Sequence, residues 1–280
     1  MVRKIYILLL LTLAGCTGAL IPHSPQQIVV EGWIEDGKAP VVMVTTTVPV
    51  STEKQELSSL EKNVVRWATV SVSDGEKEVF LTGRRNDDYF PPYIYTTAML
   101  TGQPGKRYRL NVKYSGMRVM SETTIPQSHH LEYLRAEKSG DDNYVLMAGL
   151  EDREQSKDYY KFFVRVDGRD SIYTSSFLGL VDDAILSEGV NDIQIFNTFK
   201  PSSLDVDNEA EMYFKKGDKV GVRLCNMDQR VYEYWEDFDD VSSLSLNPFF
   251  PVMKKIRSNI SGGLGYWAGY GSSYYYIECK

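Results

Sequence analysis

The chain has 280 residues, with 38 acidic against 31 basic side chains and a formal charge of −7. That length carries one large core or two smaller ones. An acidic surface repels phosphate backbones, so the balance argues against nucleic acid as a partner and against docking on anionic lipid through a basic patch.

Arg3 and Lys4 open the chain, and Ile5 to Ala14 follow as an apolar run broken only by Thr12. The run holds about ten residues, whereas a permanent membrane span takes about 20. A positive start before a short apolar core reads as an export signal, here residues 1–15. Leu13-Ala14-Gly15-Cys16 then has the pattern of a bacterial lipobox, in which the Cys16 thiol accepts the lipid. Two or more acyl chains anchor a protein stably where one does not. Residues 16–26 would be the lipidated tether, and Cys16 the contact with the membrane.

Period-2 alternation dominates the chain beyond the tether. Ile28 to Ile34 and Val41 to Val48 read as strands separated by Asp36-Gly37. Val70 and Val72 alternate with polar neighbours, and Asp74-Gly75 turns the chain into Val79-Phe80-Leu81. Tyr108, Leu110, Val112 and Tyr114 form a half-buried strand, with Ser115-Gly116 turning into Val119 to Thr123. The spacing predicts an Ig-like β-sandwich over residues 27–126. Pro126 to His130 then reads as a boundary. A second β-rich domain is expected over residues 131–280, with strands at Val145 to Leu150, Tyr160 to Val166, Ile193 to Phe196 and Val220 to Leu224. The fold class is therefore all-β, with one helix. Val231, Tyr234, Trp235, Phe238 and Val241 lie on one helical face near residues 229–244, with Asp228 as cap. Asp239 and Asp240 oppose the dipole at its far end, which calls for fraying or a compensating cation.

The motifs now in hand are Val29-Val30-Glu31-Gly32-Trp33-Ile34, Val70-Ser71-Val72-Ser73-Asp74-Gly75, Leu100-Thr101-Gly102-Gln103-Pro104-Gly105, Ile125-Pro126, and Ser258-Asn259-Ile260-Ser261-Gly262-Gly263-Leu264-Gly265-Tyr266-Trp267-Ala268. In that order, the chain resembles a family of Bacteroidetes lipoproteins known as a domain of unknown function (number 4249). The resemblance covers essentially the whole chain after Cys16. It implies an outer-membrane, lipid-anchored protein, often encoded beside TonB-dependent receptors, with no catalytic residues to carry over. Surface-exported lipoproteins of that phylum often carry acidic residues after the cysteine. Thr17-Gly18-Ala19-Leu20 stands there instead, leaving open which face of the membrane it occupies.

Candidate chemistry is sparse. The three histidines are His23 in the tether and His129-His130 at the boundary, which read as solvated and offer no base for Ser-His or Cys-His catalysis. Asp205, Asp207 and Glu209 alternate and offer oxygens to a hard cation, against a plain reading as a solvated acidic loop. Cys225 and Cys279 allow one disulfide in an oxidising compartment, or remain two buried thiols. Ser261 to Gly265 lacks the lysine of a phosphate loop, so its glycines serve turns or close packing. Tyr89, Phe90, Tyr93 and Tyr95 flank Pro91-Pro92 and could present binding rings, and a further aromatic group runs from Tyr266 to Tyr276. The expectation is a non-catalytic envelope lipoprotein without a cofactor, serving a TonB-dependent transport system. The alternative is a surface glycan-binding module using the exposed aromatics.

Overall fold

The computed structural model describes residues 25–48, 61–152, 157–198, 212–244 and 254–280. Cys16, Asp205, Asp207 and Glu209 lie outside the described residues.

In the first half, β1 (Ile28–Glu35), β2 (Val41–Thr46), β5 (Thr82–Arg85) and β6 (Tyr93–Thr96) share one sheet, while β3 (Thr69–Ser73), β4 (Glu78–Phe80), β7 (Arg107–Tyr114) and β8 (Met117–Thr124) form another. The alternation read in the sequence is what brings them face to face. Val30, Ile34, Val42 and Val44 from one sheet meet Val72, Tyr108, Leu110 and Val112 from the other in a single dry core. This is the expected sandwich. Glycines at positive φ close its hairpins, Gly75 at 90° and Gly116 at 77°.

The second half repeats the device. A small sheet contains β9 (Tyr133–Lys138), β10 (Asn143–Glu151), β13 (Val190–Ile195) and β14 (Phe214–Lys215). It packs Leu146, Ala148 and Leu150 against Tyr160, Phe162 and Val164 of β11 (Tyr159–Val166) and Val220, Val222 and Leu224 of β15 (Lys219–Met227). Beside β11 lies β12 (Thr174–Asp182).

The last strand joins the halves. β16 (Leu264–Glu278) pairs in parallel with β1 from Leu264 to Tyr270, then antiparallel with β15 from Gly271 to Glu278. The result is an eight-stranded sheet of order β12-β11-β15-β16-β1-β2-β6-β5. Trp267 on this strand is fully buried in the first core, its indole N–H donating to the Tyr108 carbonyl at 3.1 Å. Gly265 is required where it stands: at φ 100° an added Cβ would sit 1.9 Å from the Val30 carbonyl oxygen.

Among the described residues there is one α-helix, α1 (Gln229–Leu244). Asp228 caps it, Oδ1 accepting the Val231 N–H at 3.0 Å, a bond worth about 1 kcal/mol. Val231, Tyr234 and Trp235 are buried in a third core, against the face of the long sheet that points away from both small sheets. The cations demanded by its acidic end are present. Lys161 meets Asp239 at 2.8 Å, and Lys254 meets Asp240 at 2.5 Å.

No helix among the described residues is long and apolar enough to cross a membrane.

Candidate functional site

Because side chains alternate along a strand, each strand of the long sheet has a second set facing α1. On β1 these are Glu31, Trp33 and Glu35. On β15 they include Arg223, and on β16 they are Tyr266, Tyr270 and Tyr274. The helix covers only part of this face, and the remainder forms a cavity of ≈ 480 Å³. That volume falls in the range of small-molecule sites, about 300–1,000 Å³.

The walls are aromatic. Trp235 comes down from α1, its indole N–H donating to the Tyr270 hydroxyl at 2.9 Å and its ring standing edge-on to Phe163 at 5.7 Å. Tyr89, from the loop between β5 and β6, lies 6.1 Å from Trp33. Tyr173, from the β11–β12 connection, meets Tyr274 edge-on at 5.7 Å. Phe90 sits at the rim, 53% exposed.

The floor holds a buried ion pair. Arg223 Nη1 donates to Glu35 Oε1 at 2.7 Å, with the two side chains 9% and 4% exposed. The other Glu35 oxygen accepts from the Tyr274 hydroxyl, and the Lys38 ammonium lies 3.5 Å from it. Burial alone would raise the Glu35 carboxyl, but Arg223, Lys38 and the hydroxyls of Tyr274 and Ser272 together hold it below its ordinary value. Burial works against the Arg223 charge too, but its electrostatic surroundings, the Cys225 sulfur and the Glu35 carboxylate first, hold its pKa above the ordinary value. The Arg223 guanidinium also lies over the Phe163 ring at 4.2 Å. Nearby, Lys161 is 0% exposed, with its ammonium 4.7 Å from the Trp235 ring centre. Burial lowers its pKa against the pull of Asp239.

The sequence-predicted aromatics divide. Tyr89 and Phe90 line the cavity. Tyr93 and Tyr95 turn to the sandwich core instead, because both lie on the inner face of β6. The Tyr95 hydroxyl donates to the Val65 carbonyl at 2.7 Å and accepts the Ala68 N–H at 3.0 Å, and the Tyr93 hydroxyl donates to the Arg66 carbonyl at 3.1 Å. In the C-terminal group, Tyr266, Tyr270 and Tyr274 face the cavity, while Trp267 and Tyr275 face the two cores.

Cys225 and Cys279 are both free and buried, so the disulfide reading gives way to the two-thiol one. The register shows why. Cys225 lies opposite Ser272, and Cys279 follows Glu278, which lies opposite Lys219. Seven residue steps of strand separate them, about 23 Å, where a bridge needs Cα atoms within about 7 Å. His129, expected in solvent, is buried with Nδ1 3.1 Å from the Tyr160 hydroxyl. His130 is exposed beside Ser273, so the pair does not converge. No group of three His, Cys, Asp or Glu among the described residues is placed to hold a metal.

Sequence reasoning missed Glu31, Glu35, Lys161 and Arg223. A charge between apolar neighbours reads as a wet face. The available signal was Tyr159 and Phe163, two residues either side of Lys161 and therefore on its face, which is an odd composition for solvent.

A family model described as "Domain of unknown function (DUF4249)" matches residues 19–275. The chain belongs to this family. No curated protein is significantly similar to this DUF4249 chain. Among solved structures, a DUF4785 family protein from Legionella pneumophila subsp. pneumophila str. Philadelphia 1 is 14% identical, with 73% of this chain and 53% of that one covered and a TM-score of 0.23. The FN1–FN3 domains of chicken CNTN1 are 12% identical, with 70% and 59% covered and a TM-score of 0.21. The chain thus spans little more than half the length of either.

Proposed function

We propose that the protein is a non-catalytic cell-envelope lipoprotein, held in the outer membrane through lipid on Cys16, which binds a ligand in its aromatic cavity as an accessory of a TonB-dependent transport system. The cavity carries the binding half of this reading. It has the volume of a ligand site, ring faces for walls, and polar groups already held in place by their own ion pairs, so little ordering remains to be done on binding. The export signal and Leu13-Ala14-Gly15-Cys16 support the anchor. The family resemblance supports the transport half.

The test is a mild-detergent pull-down from native membranes with a C-terminal tag. Recovery of a TonB-dependent receptor in near-equal amount supports the accessory role, and recovery of the protein alone sinks it. Replacing Cys16 by Ser should abolish incorporation of radiolabelled palmitate, and continued labelling would remove the anchor from the reading.

The rim position of Tyr89 and Phe90 favours a second reading, a surface glycan-binding module in which these rings stack on sugar faces. Glycan-array binding that is lost in Tyr89→Ala would establish it.

A further inference from the structure

The cation-bearing side of the long sheet repeats one arrangement. Lys161 lies over Trp235 with Asp239 at its head. Arg223 lies over Phe163 with Glu35 at its head. Lys38 lies over the Tyr274 ring at 3.8 Å, also beside Glu35. In each, a ring face and a carboxylate share one cation, the two attractions that hold organic cations in aromatic cages.

Glu31 breaks the series. It lines the same cavity, and on the neighbouring strand its register partner is Tyr266. Its charge reaches the hydroxyls of Tyr234 and Tyr266, which stand 4.6 Å apart ring to ring, and Trp33 follows it by two residues on the same face. No ion pair or hydrogen bond engages its carboxylate among the described residues. Glu31 is exposed where the cavity opens, and partial desolvation by the residues packed around it holds its carboxyl above the ordinary value. A ring cluster and a carboxylate are in place there, and no cation among the described residues pairs with it.

We propose that the cavity binds an organic cation, its ammonium group seated between Glu31 and the faces of Tyr266 and Trp33 and its apolar body along the aromatic wall. A hard metal ion is the poorer fit, since it needs several oxygen ligands and the surroundings of Glu31 are rings. An organic anion is the poorer fit beside Glu31, whose carboxylate repels it, and Glu35 already neutralises the charge of Arg223 although the Arg223 Nε–H has no partner. This inference rests on the binding reading above and names the ligand class for it.

The experiment is isothermal titration calorimetry of the purified full chain with phenyltrimethylammonium. Benzoate serves as the ring of opposite charge and maltose as the neutral sugar. Saturable binding of phenyltrimethylammonium is expected, at least tenfold weaker in Glu31→Gln, with little response to benzoate. Glu31 has no ion-pair or hydrogen-bond partner among the described residues to lose, so Glu31→Gln should melt as the parent does. Glu31→Lys, which supplies a tethered cation, should stay folded and refuse the probe. Benzoate or maltose binding in preference, or a Glu31→Lys variant that binds as the parent does, would overturn the cation assignment and leave the cavity as a binding site. Failure of all three probes would overturn the assignment too, while the accessory role is judged separately by the pull-down.

Discussion

Lys161 and Asp237 show how much a single side chain depends on what the fold places beside it. Lys161 is fully buried, and Asp239 is the carboxylate that meets its charge. Removing one member of a buried pair strands the other. The full effect is about 3–5 kcal/mol, and because Asp239 is a third exposed we expect about 2 kcal/mol for Asp239→Asn, read by urea denaturation. The direction is informative. An acid at a helix C-terminus is unfavourable to the dipole, so a helix-only account predicts a small gain instead. Asp237 is covered by Arg257, at 2.7 Å, and Lys254, also at 2.7 Å. Its carboxyl is buried beneath these partners, and they, Arg257 first, hold its pKa well below the ordinary carboxylate range. A depressed folded pKa contributes stability that is present above the unfolded value of about 3.9 and is lost as pH falls through and below it. Denaturation midpoints should therefore drop from roughly pH 5 downward, and Asp237→Asn should flatten that slope while lowering the midpoint at pH 7. An unchanged acid slope in the variant would show that Asp237 does not contribute.

At the scale of elements, β16 decides the architecture. A strand of 15 residues extends about 50 Å, and this one is buried on both faces from Tyr266 to Gly271. Gly265 admits it beside Val30, and Gly265→Ala combines a positive φ with a backbone clash. We expect a loss of roughly 2–4 kcal/mol by thermal or chemical denaturation, with the reduced stability shared by both halves. α1 is the other deciding element. Its position follows from Asp228 and its apolar face, both legible in the sequence. Its consequence is not legible, for by covering part of a sheet face it converts Arg223 and Glu35 from apparent surface charges into the polar floor of a cavity and buries Lys161 against Trp235.

For the whole molecule, the eight-stranded sheet ties the sandwich to the second half through β16, which pairs with β1 and then with β15. Calorimetry should therefore show one cooperative transition, and two well-separated transitions would show that the halves unfold independently. The thiols provide a further test. Cys225 and Cys279 sit too far apart to bridge, so both should alkylate on denaturation without reductant, and the midpoint should not move with dithiothreitol. An unreactive pair would restore the disulfide.

The sequence by itself determined the local elements: the alternating strands, the glycine turns, the capped helix at Gln229–Leu244 and the two facing layers of the sandwich. It did so because hydrophobic period, turn chemistry and capping are short-range properties, readable within a few residues. It also carried enough ordered motifs to identify the family. Tertiary structure alone decided the rest. Tyr93 and Tyr89 are four residues apart, and one packs on the core while the other lines the cavity, because Tyr93 lies on the face of β6 that the opposite sheet covers and Tyr89 lies in the loop before that strand. Glu31, Arg223 and Tyr266 come from distant stretches and meet only through strand register. The candidate site is a property of pairing across the long sheet, and no local pattern encodes the partner a strand will find.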